Sequence, residues 1–268
     1  MGSLVQKPLV VFIMGATGTG KSRLSVDIAA EYSGEIINCD KMQVYKGLDI
    51  VTNKIQEHEM KGVKHHLLGE FDPNSDFTAL DFCNRALMVI EKLVGSGKLP
   101  VIVGGSNSFI EALVEDPCFR SKYECRFLWI DVCLPVLFSH VHQRVDLMVD
   151  AGLVDEVRAV FDPMADYGRG ISKSIGVPEL KEYFQAERNK AVDQETARNL
   201  LQAAISDIKA NTCKLITCQL SKIYRLKEEL KWPICRVDAT AVFQKQGKEA
   251  ENAWEEQVLK PCLRKINW

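Results

Sequence analysis

The stretch Leu9-Val10-Val11-Phe12-Ile13-Met14, continued by Gly15-Ala16-Thr17-Gly18-Thr19-Gly20-Lys21-Ser22, decides the fold. Its first part is apolar and rich in β-branched side chains, which predicts a strand buried on both faces, as in a parallel sheet. The second part matches Gly-x4-Gly-Lys-Ser, in which backbone N–H groups surround phosphate oxygens at the start of a helix. Lys21 would neutralise phosphate charge, and the Ser22 hydroxyl would hold Mg²⁺. We therefore predict that all of residues 15–22 bind a phosphorylated ligand, with a helix from Ser22 to Tyr32.

Further short apolar segments predict more strands, at residues 35–38, 100–103, 126–132 and 234–237. Helical patterns separate them, including one from Ala79 to about Val94 that Thr78 would cap. Strands that alternate with helices predict an α/β fold with a parallel sheet flanked by helices, like that of P-loop nucleotide kinases. Ligands bind at the carboxyl ends of strands in such sheets, so we expect the residues that follow the strands to share one rim. These residues are Gly15, Asp40, Gly104 and Asp131.

The pattern becomes helical after about Leu134, which suggests a division into parts. We predict a P-loop core domain at residues 1–134 plus 234–240, a helical insertion that binds substrate at 135–230, and a C-terminal segment at 241–268. Residues 53–80 are polar and predicted to be irregular. The pair His65-His66 lies there without a third ligand at metal spacing, so we expect a structural or surface role for it.

Composition limits the classes of function. The chain has 268 residues, of which 46% are hydrophobic and 26% charged, and its net charge is −2. These values are typical of a globular protein, and they exclude a general basic surface for nucleic acid. The nine cysteines include no Cys-x-x-Cys pair, which favours reduced thiols in an intracellular compartment. We see neither a secretory signal peptide nor an apolar run near the ~18 residues of a membrane span, and we expect no membrane partner.

Three strand ends carry side chains suited to chemistry. Asp40 lies beside the loop, where a carboxylate serves as a general base or a ligand near Mg²⁺, or simply caps a turn. Asp131 ends an apolar strand in the manner of a Walker B aspartate, which would make it a Mg²⁺ ligand. Ser106 follows Gly104-Gly105 and could donate to a phosphate oxygen, although an ordinary strand-to-helix turn has the same pattern.

The loop alone does not name the reaction, because kinases, GTPases and other transferases share it. Asn53-Lys54-Ile55-Gln56 lacks the aspartate of the GTPase base-reading motif. A small-molecule kinase stays possible, since lid arginines could come from Arg144, Arg158 and Arg169.

A long helical segment from Thr196 to Leu230 carries a basic stripe. Lys214, Lys222 and Arg225 fall on roughly one face at 3.6 residues per turn. This spacing predicts either a second polyphosphate site or an ordinary solvated face.

Taken in order, the motifs resemble one family, the isopentenyltransferases that prenylate N6 of adenine. Besides the loop, the resemblance is carried by the segments 40–54, 104–110, 144–148, 152–157, 175–179 and 211–223. It covers nearly the whole chain. The forms Asp-Lys-Met-Gln-Val-Tyr at 40–45 and Gly-Gly-Ser-Asn-Ser-Phe-Ile at 104–110 resemble the plant members that act on free AMP, ADP or ATP in cytokinin synthesis. The branch that modifies tRNA is the alternative.

The resemblance implies roles in catalysis. The loop would hold the diphosphate of dimethylallyl diphosphate together with Mg²⁺, and Lys21 would stabilise the departing pyrophosphate. Asp40 would hydrogen-bond the adenine amino group and take its proton, and Ser106 would polarise the leaving diphosphate where related enzymes use threonine.

The resemblance also implies an acceptor site. Lys173, Lys222 and Arg225 would bind the phosphates of ATP or ADP, which we expect to be preferred over AMP. The family often has an arginine where this chain has Cys218, and we hypothesise that Lys214 replaces its charge. No tRNA partner is expected. Plant relatives are often plastidic, so we expect a plastid location, with the cytoplasm as the alternative.

Overall fold

The computed structural model describes residues 7–164, 166–189 and 193–266. These residues form one sheet of six parallel strands. The strands are β1 (Leu9–Met14), β2 (Glu35–Asn38), β3 (His65–His66), β4 (Pro100–Val103), β5 (Glu124–Asp131) and β6 (Ile234–Asp238). The prediction of a parallel α/β sheet is confirmed.

The sheet order brings the predicted ligand-binding segments together. The strands follow one another as β3-β2-β4-β1-β5-β6, so that β1 lies between β4 and β5. Ile13 of β1 pairs with Val103 of β4 and Leu128 of β5, and Asn38 of β2 also pairs with Val103. The segments that follow β1, β2 and β4 therefore leave the sheet at the same edge, where parallel sheets bind ligands.

The predicted strands are confirmed with small shifts at their ends, and one strand was missed. β5 begins two residues before the predicted start, at Glu124, and ends at Asp131. The sequence does not predict β3, because two polar histidines show no strand pattern of their own. They pair with Ile36 and Ile37, so the neighbouring buried strand provides the reason for their extended backbone.

Helices cover both faces of the sheet. They are α1 (Lys21–Glu31), α2 (Ala79–Gly95), α3 (Asn107–Glu115), α4 (Pro117–Lys122), α5 (Leu134–Asp150), α6 (Leu153–Val160), α7 (Lys181–Asn189), α8 (Gln194–Tyr224), α9 (Thr240–Phe243), α10 (Gly247–Ala253) and α11 (Lys260–Ile266). A π-helical turn, Arg225–Glu229, extends α8, and another, Trp254–Leu259, joins α10 to α11. The predicted cap of α2 is confirmed, since the N–H of Asp81 donates to the Thr78 hydroxyl at 3.2 Å.

The later helices form two groups. α8 packs against α3, α5 and α7, which places a helical layer beside the ligand-binding edge of the sheet. The segment from α10 to α11 packs against α1 and β6. It buries Trp254, Val258, Cys262 and Ile266, which recur every four residues and so form one apolar face. The division into three domains stays a prediction.

Two further observations concern the described residues. No helix among them combines the length and the apolar character that crossing a bilayer requires. All nine cysteines lie in the described ranges and are free thiols.

Candidate active site

The predicted phosphate loop has the backbone that its glycines imply. Gly18 and Gly20 have φ angles of +86° and +90°, which side chains other than that of glycine rarely adopt. Gly20 precedes α1, and no side chain caps this helix end. The first N–H groups of α1 therefore lack a side-chain acceptor, and an anion can accept from them.

Lys21 is held inside the loop. Its ammonium group donates to the Ala16 carbonyl at 2.7 Å. Burial lowers the pKa of Lys21 to about 8, although the nearby Asp40 carboxylate opposes the shift. A buried lysine with a lowered pKa favours binding of an anion, because the added negative charge stabilises its protonated form.

Two cavities adjoin both the loop and Asp40. The first, here called the loop cavity, has a volume of about 110 Å³ and is lined by Lys21, Ser22, Asn38 and His65 among others. The second, here called the helix cavity, has a volume of about 350 Å³. It lies between the loop and helices α5 and α8, and its lining includes Asn53, Arg144, Lys173, Thr212 and Gln219.

Asp40 lies at the boundary of the two cavities. Together with Thr17 and Gln43 it lines both of them. One of its carboxylate oxygens accepts from the N–H of Met42 at 3.0 Å, which fixes the side chain. The other oxygen has no partner among the described residues. The structure thus brings the predicted base to a position between the phosphate loop and a separate binding space.

Arg144 is a site residue that the sequence analysis named only as one possible lid arginine. Its guanidinium donates to the Thr17 hydroxyl at 3.0 Å, and its Nε is buried without a hydrogen-bond partner in the described structure. Burial lowers the pKa of Arg144 to about 10, against the influence of Asp40. A buried cation with an unused donor, aimed at the phosphate loop, is a candidate anion ligand. The segment 144–148, which contributed to the family resemblance, was the available signal.

Gln219 is a second residue that the sequence analysis did not select. Its amide oxygen accepts from the N–H of Thr17 at 2.8 Å, and its amide nitrogen donates to the Gly105 carbonyl at 3.2 Å. A Cβ added to Gly105 would lie 2.1 Å from that nitrogen, so a side chain at this position would displace the Gln219 amide. One side chain of α8 therefore joins the phosphate loop to the turn after β4.

Ser106 follows the same turn but points elsewhere. Its hydroxyl accepts from the N–H of Lys41 at 3.0 Å, and Ser106 lines neither cavity. In this arrangement it joins the segment after β4 to the segment that carries Asp40. Its predicted contact with a leaving diphosphate stays a prediction.

The predicted basic residues are not all at the site. Lys173 lines the helix cavity. Lys214 and Lys222 are exposed and line neither cavity, and the ammonium group of Lys214 donates to Asn211 at 3.2 Å. Arg225 forms an ion pair with Glu111 of α3. The expectation of one basic face turned toward the site is corrected, because α8 turns a different set of residues into the cavity: Ile208, Thr212, Leu215 and Gln219.

Asp131 requires a further correction. Its carboxylate accepts from Nε of Arg236 at 2.8 Å, and its side chain is only 8% exposed. It lines neither cavity. Because β5 places it against β6 and its charge is already paired, the structure does not support Asp131 as a Mg²⁺ ligand.

His65 was expected to have a structural or surface role, yet it lines the loop cavity. Its Nδ1 lies 2.9 Å from the Val63 carbonyl, which only accepts, so Nδ1 carries a proton. Burial lowers the pKa of His65, which favours the neutral ring with Nε2 as an acceptor. The neighbouring His66 instead bonds Glu35 at 2.6 Å.

The donor set near the loop suits one kind of metal site. Among the described residues, no cluster of three or more His, Cys, Asp or Glu side chains could hold a metal ion. Mg²⁺ commonly takes only one or two protein oxygens and completes its shell with phosphates and water. Ser22 and Asp40 both line the loop cavity and fit this pattern.

Comparison with known proteins supports the resemblance seen in the motifs. Residues 43–122 and 115–223 match the family described as IPP transferase. The chain is 54% identical to adenylate isopentenyltransferase 5, chloroplastic, of Arabidopsis thaliana, over 96% of this chain and 78% of that protein. It is 49% identical to adenylate isopentenyltransferase 7, mitochondrial, of the same plant, over 97% of this chain and 80% of that protein.

Solved structures support the fold. A eukaryotic dimethylallyltransferase acting on tRNA superposes with a TM-score of 0.79, over 96% of this chain and 78% of that one. Their sequences are 22% identical, so the likeness concerns the fold. Because the chain matches the family model and is about half identical to the plant proteins over almost its whole length, it belongs to the adenylate isopentenyltransferases of the IPP transferase family.

Proposed function

We propose that the protein transfers the dimethylallyl group of dimethylallyl diphosphate to N6 of a free adenine nucleotide. The observation that carries this proposal is the position of Asp40, which lines both the loop cavity and the helix cavity. A transfer between two substrates requires two adjoining binding spaces and, for an amine acceptor, a proton acceptor where they meet. The names of the plant relatives support the same two substrates.

The donor diphosphate is assigned to the phosphate loop. The first N–H groups of α1 lack a side-chain acceptor, and the buried Lys21 gains from an added anion. As the C1–O bond of the donor breaks, negative charge grows on the departing pyrophosphate. Donors that are already fixed around this position stabilise that charge without reorganising.

Asp40 is assigned the role of general base. The N6 lone pair of adenine is delocalised into the ring, so N6 is a weak nucleophile while it keeps both protons. In the reaction N6 forms a bond to C1 of the prenyl chain, pyrophosphate leaves with the electron pair of the C1–O bond, and a proton passes from N6 to the Asp40 carboxylate. The carboxylate oxygen that has no partner within the described ranges would accept this proton.

Arg144 is assigned to the diphosphate from the side of the helix cavity. It bonds Thr17 of the loop, and its buried Nε has no partner among the described residues. A guanidinium in this position would contact the bridging or terminal oxygens of the diphosphate and so stabilise the leaving group.

The acceptor nucleotide is assigned to the helix cavity. Val145, Met148 and Ile175 give this cavity apolar surface for a base, and Lys173 supplies a cation for phosphates. ATP and ADP would gain more from such a cation than AMP, because they carry more negative charge.

Mg²⁺ is assigned to the loop cavity, where the Ser22 hydroxyl would hold it together with phosphate oxygens and water. When bound, the ion would neutralise part of the diphosphate charge.

Free nucleotides, rather than tRNA, are proposed as acceptors, because the relatives with high identity are named for adenylate. The solved relative acts on tRNA but shares only 22% of its sequence with this chain. A plastid location is proposed as well. The word chloroplastic in the name of one relative supports it, while another relative is named mitochondrial.

One assay tests the proposal. Purified protein with Mg²⁺ is incubated with labelled dimethylallyl diphosphate and, separately, with AMP, ADP, ATP or unmodified tRNA. We expect label on the free nucleotides, with ADP and ATP used at lower concentrations than AMP. Label on tRNA alone would contradict the proposal, and phosphate transfer from ATP without prenyl transfer would indicate a kinase.

A further inference from the structure

The C-terminal helical segment lies directly beneath the phosphate loop. Trp254 is only 2% exposed, and a Cβ added to Gly20 would lie 3.0 Å from its ring. The guanidinium of Arg23, in the first turn of α1, lies 4.3 Å from the centre of the same ring. Arg23 also forms an ion pair with Glu251 of α10. The ring of Trp254 therefore lies against Gly20 of the loop and against Arg23 in the first turn of α1.

Asp27, one turn further along α1, joins three parts of the chain. Its side chain is 10% exposed, and one oxygen accepts from the indole N–H of Trp254 at 2.9 Å. The other oxygen pairs with Lys61 at 2.7 Å. Lys61 follows the 3₁₀ turn Glu57–Glu59, so Asp27 links this turn to α1 and to the C-terminal segment.

The start of α1 packs on the sheet on its buried side, through Leu24 and Ser25, and Trp254 packs on it where no side chain caps it. Gly20 precedes the helix without a side-chain cap. On one side the turn borders a third cavity of about 360 Å³, which shares Ser22 and Ile55 with the loop cavity. A helix start without a cap and beside open space is free to shift unless packing restrains it. Asp27 lines this cavity together with Arg23 and Lys61. Trp254, which is not among its lining residues, restrains the helix start by packing against Gly20 and donating to Asp27.

From these contacts we infer that Trp254 and Asp27 form a clamp that sets the position of the phosphate loop for the prenyl donor. They are positioning residues, since neither lines the loop cavity. The inference rests on the proposed function insofar as the ligand of the loop is the donor diphosphate. Its consequence is selective: loosening the clamp impairs binding of the donor and leaves the acceptor site on α5 and α8 intact.

The test compares two tryptophans in the full chain. Trp254→Leu removes the ring contact with Gly20 and the hydrogen bond to Asp27. We expect a rise of roughly tenfold in KM for dimethylallyl diphosphate, since small displacements of binding groups have large effects. We expect KM for ADP to stay within about twofold, because neither Trp254 nor Asp27 lines the helix cavity. Trp254→Phe, which keeps an aromatic ring but not the N–H, should show a smaller rise in donor KM, as should Asp27→Asn.

Trp232→Leu is the matched control. Trp232 is also buried, but its ring packs on Phe127 of β5 at 4.8 Å instead of on the loop. Thermal unfolding identifies variants that fail to fold. If Trp254→Leu is one of them, Trp254→Phe takes its place in the comparison with Trp232→Leu. Equal rises in donor KM for the Trp254 and Trp232 variants, or equal rises for donor and acceptor in a Trp254 variant, would overturn the inference.

A binding measurement separates this inference from the proposed function. Should wild-type protein transfer no prenyl group, the proposed function fails, while titration calorimetry with inorganic pyrophosphate and Mg²⁺ still tests the clamp. Weaker pyrophosphate binding by Trp254→Leu than by Trp232→Leu supports the clamp. Indistinguishable binding by the two variants contradicts it.

Discussion

The loop cavity and the helix cavity differ in how the chain builds them. The loop cavity is lined mainly by residues between Thr17 and Gln43, and its charged side chains, Lys21 and Asp40, both belong to this part of the chain. The helix cavity draws Asn53, Arg144, Lys173 and Gln219 from four distant parts of the chain. A binding space made of local segments is fixed by their backbone, whereas one made of distant helices depends on packing between them. Asp40 lines both cavities, so the comparison can be tested by substitutions at Asp40, in the loop cavity and in the helix cavity.

The largest effect is expected at the shared residue. Asp40→Asn removes the proton acceptor and keeps the size of the side chain, so kcat should fall roughly 10²–10⁴-fold. KM for the donor should change little, because the loop would hold the diphosphate without Asp40. Steady-state kinetics with ADP measures both values. Near-normal turnover would exclude Asp40 as the base.

A somewhat smaller loss is expected on the helix side. Arg144→Ala should lower kcat roughly 10²–10³-fold if the guanidinium stabilises the departing diphosphate. Lys214→Ala is the matched control, since Lys214 is a cation on α8 that lines neither cavity, and it should change no kinetic constant more than about twofold. A large effect of Lys214→Ala with a small one of Arg144→Ala would restore the role first predicted for Lys214.

The contrast between Arg144 and Lys214 also shows what the sequence could predict. The phosphate loop, Asp40 and most strands follow from local patterns in which neighbouring residues determine the backbone. Helical periodicity predicted a common face for Lys214, Lys222 and Arg225, but it could not tell which face the helix turns inward. That choice depends on packing against α5, which brings Thr212 and Gln219 to the cavity and leaves Lys214 exposed. Asp131 was misjudged for a related reason, because its partner Arg236 lies on a strand about a hundred residues later.

A moderate effect of pH is expected on the loop side. The pKa of Lys21 is lowered to about 8, so the free enzyme loses this positive charge as the pH rises through that value. Since the protonated form attracts the diphosphate, kcat/KM for the donor should fall roughly tenfold for each pH unit well above 8. At saturating donor, kcat should fall only at higher pH, because the bound anion raises the pKa. The same fall in Lys21→Arg, whose side chain stays charged, would assign it to another group.

The smallest kinetic effect is expected at Asp131. Asp131→Asn should leave kcat and the Mg²⁺ dependence of the reaction within about twofold, because its carboxylate lines neither cavity. The buried Asp131 carboxylate accepts from the half-exposed Arg236, so its loss predicts a lower melting temperature instead, by a few degrees, for a loss of about 1 kcal/mol. Activity titrated with Mg²⁺ and thermal unfolding check the two parts. If Asp131→Asn needed a much higher Mg²⁺ concentration for activity than the wild-type protein, Asp131 would be a Mg²⁺ ligand after all.

The separation of the two binding spaces is tested most directly by titration calorimetry with each substrate alone. A non-reactive thio analogue of dimethylallyl diphosphate and ADP are each titrated, with Mg²⁺, into wild-type protein, Lys21→Gln and Lys173→Gln. Lys21 lines only the loop cavity and Lys173 only the helix cavity. We expect Lys21→Gln to weaken binding of the prenyl analogue roughly tenfold or more and to leave ADP binding unchanged, with the opposite pattern for Lys173→Gln. Loss of ADP binding in Lys21→Gln, with the prenyl analogue unaffected, would show that the loop holds the nucleotide and would contradict the assignment of the two cavities.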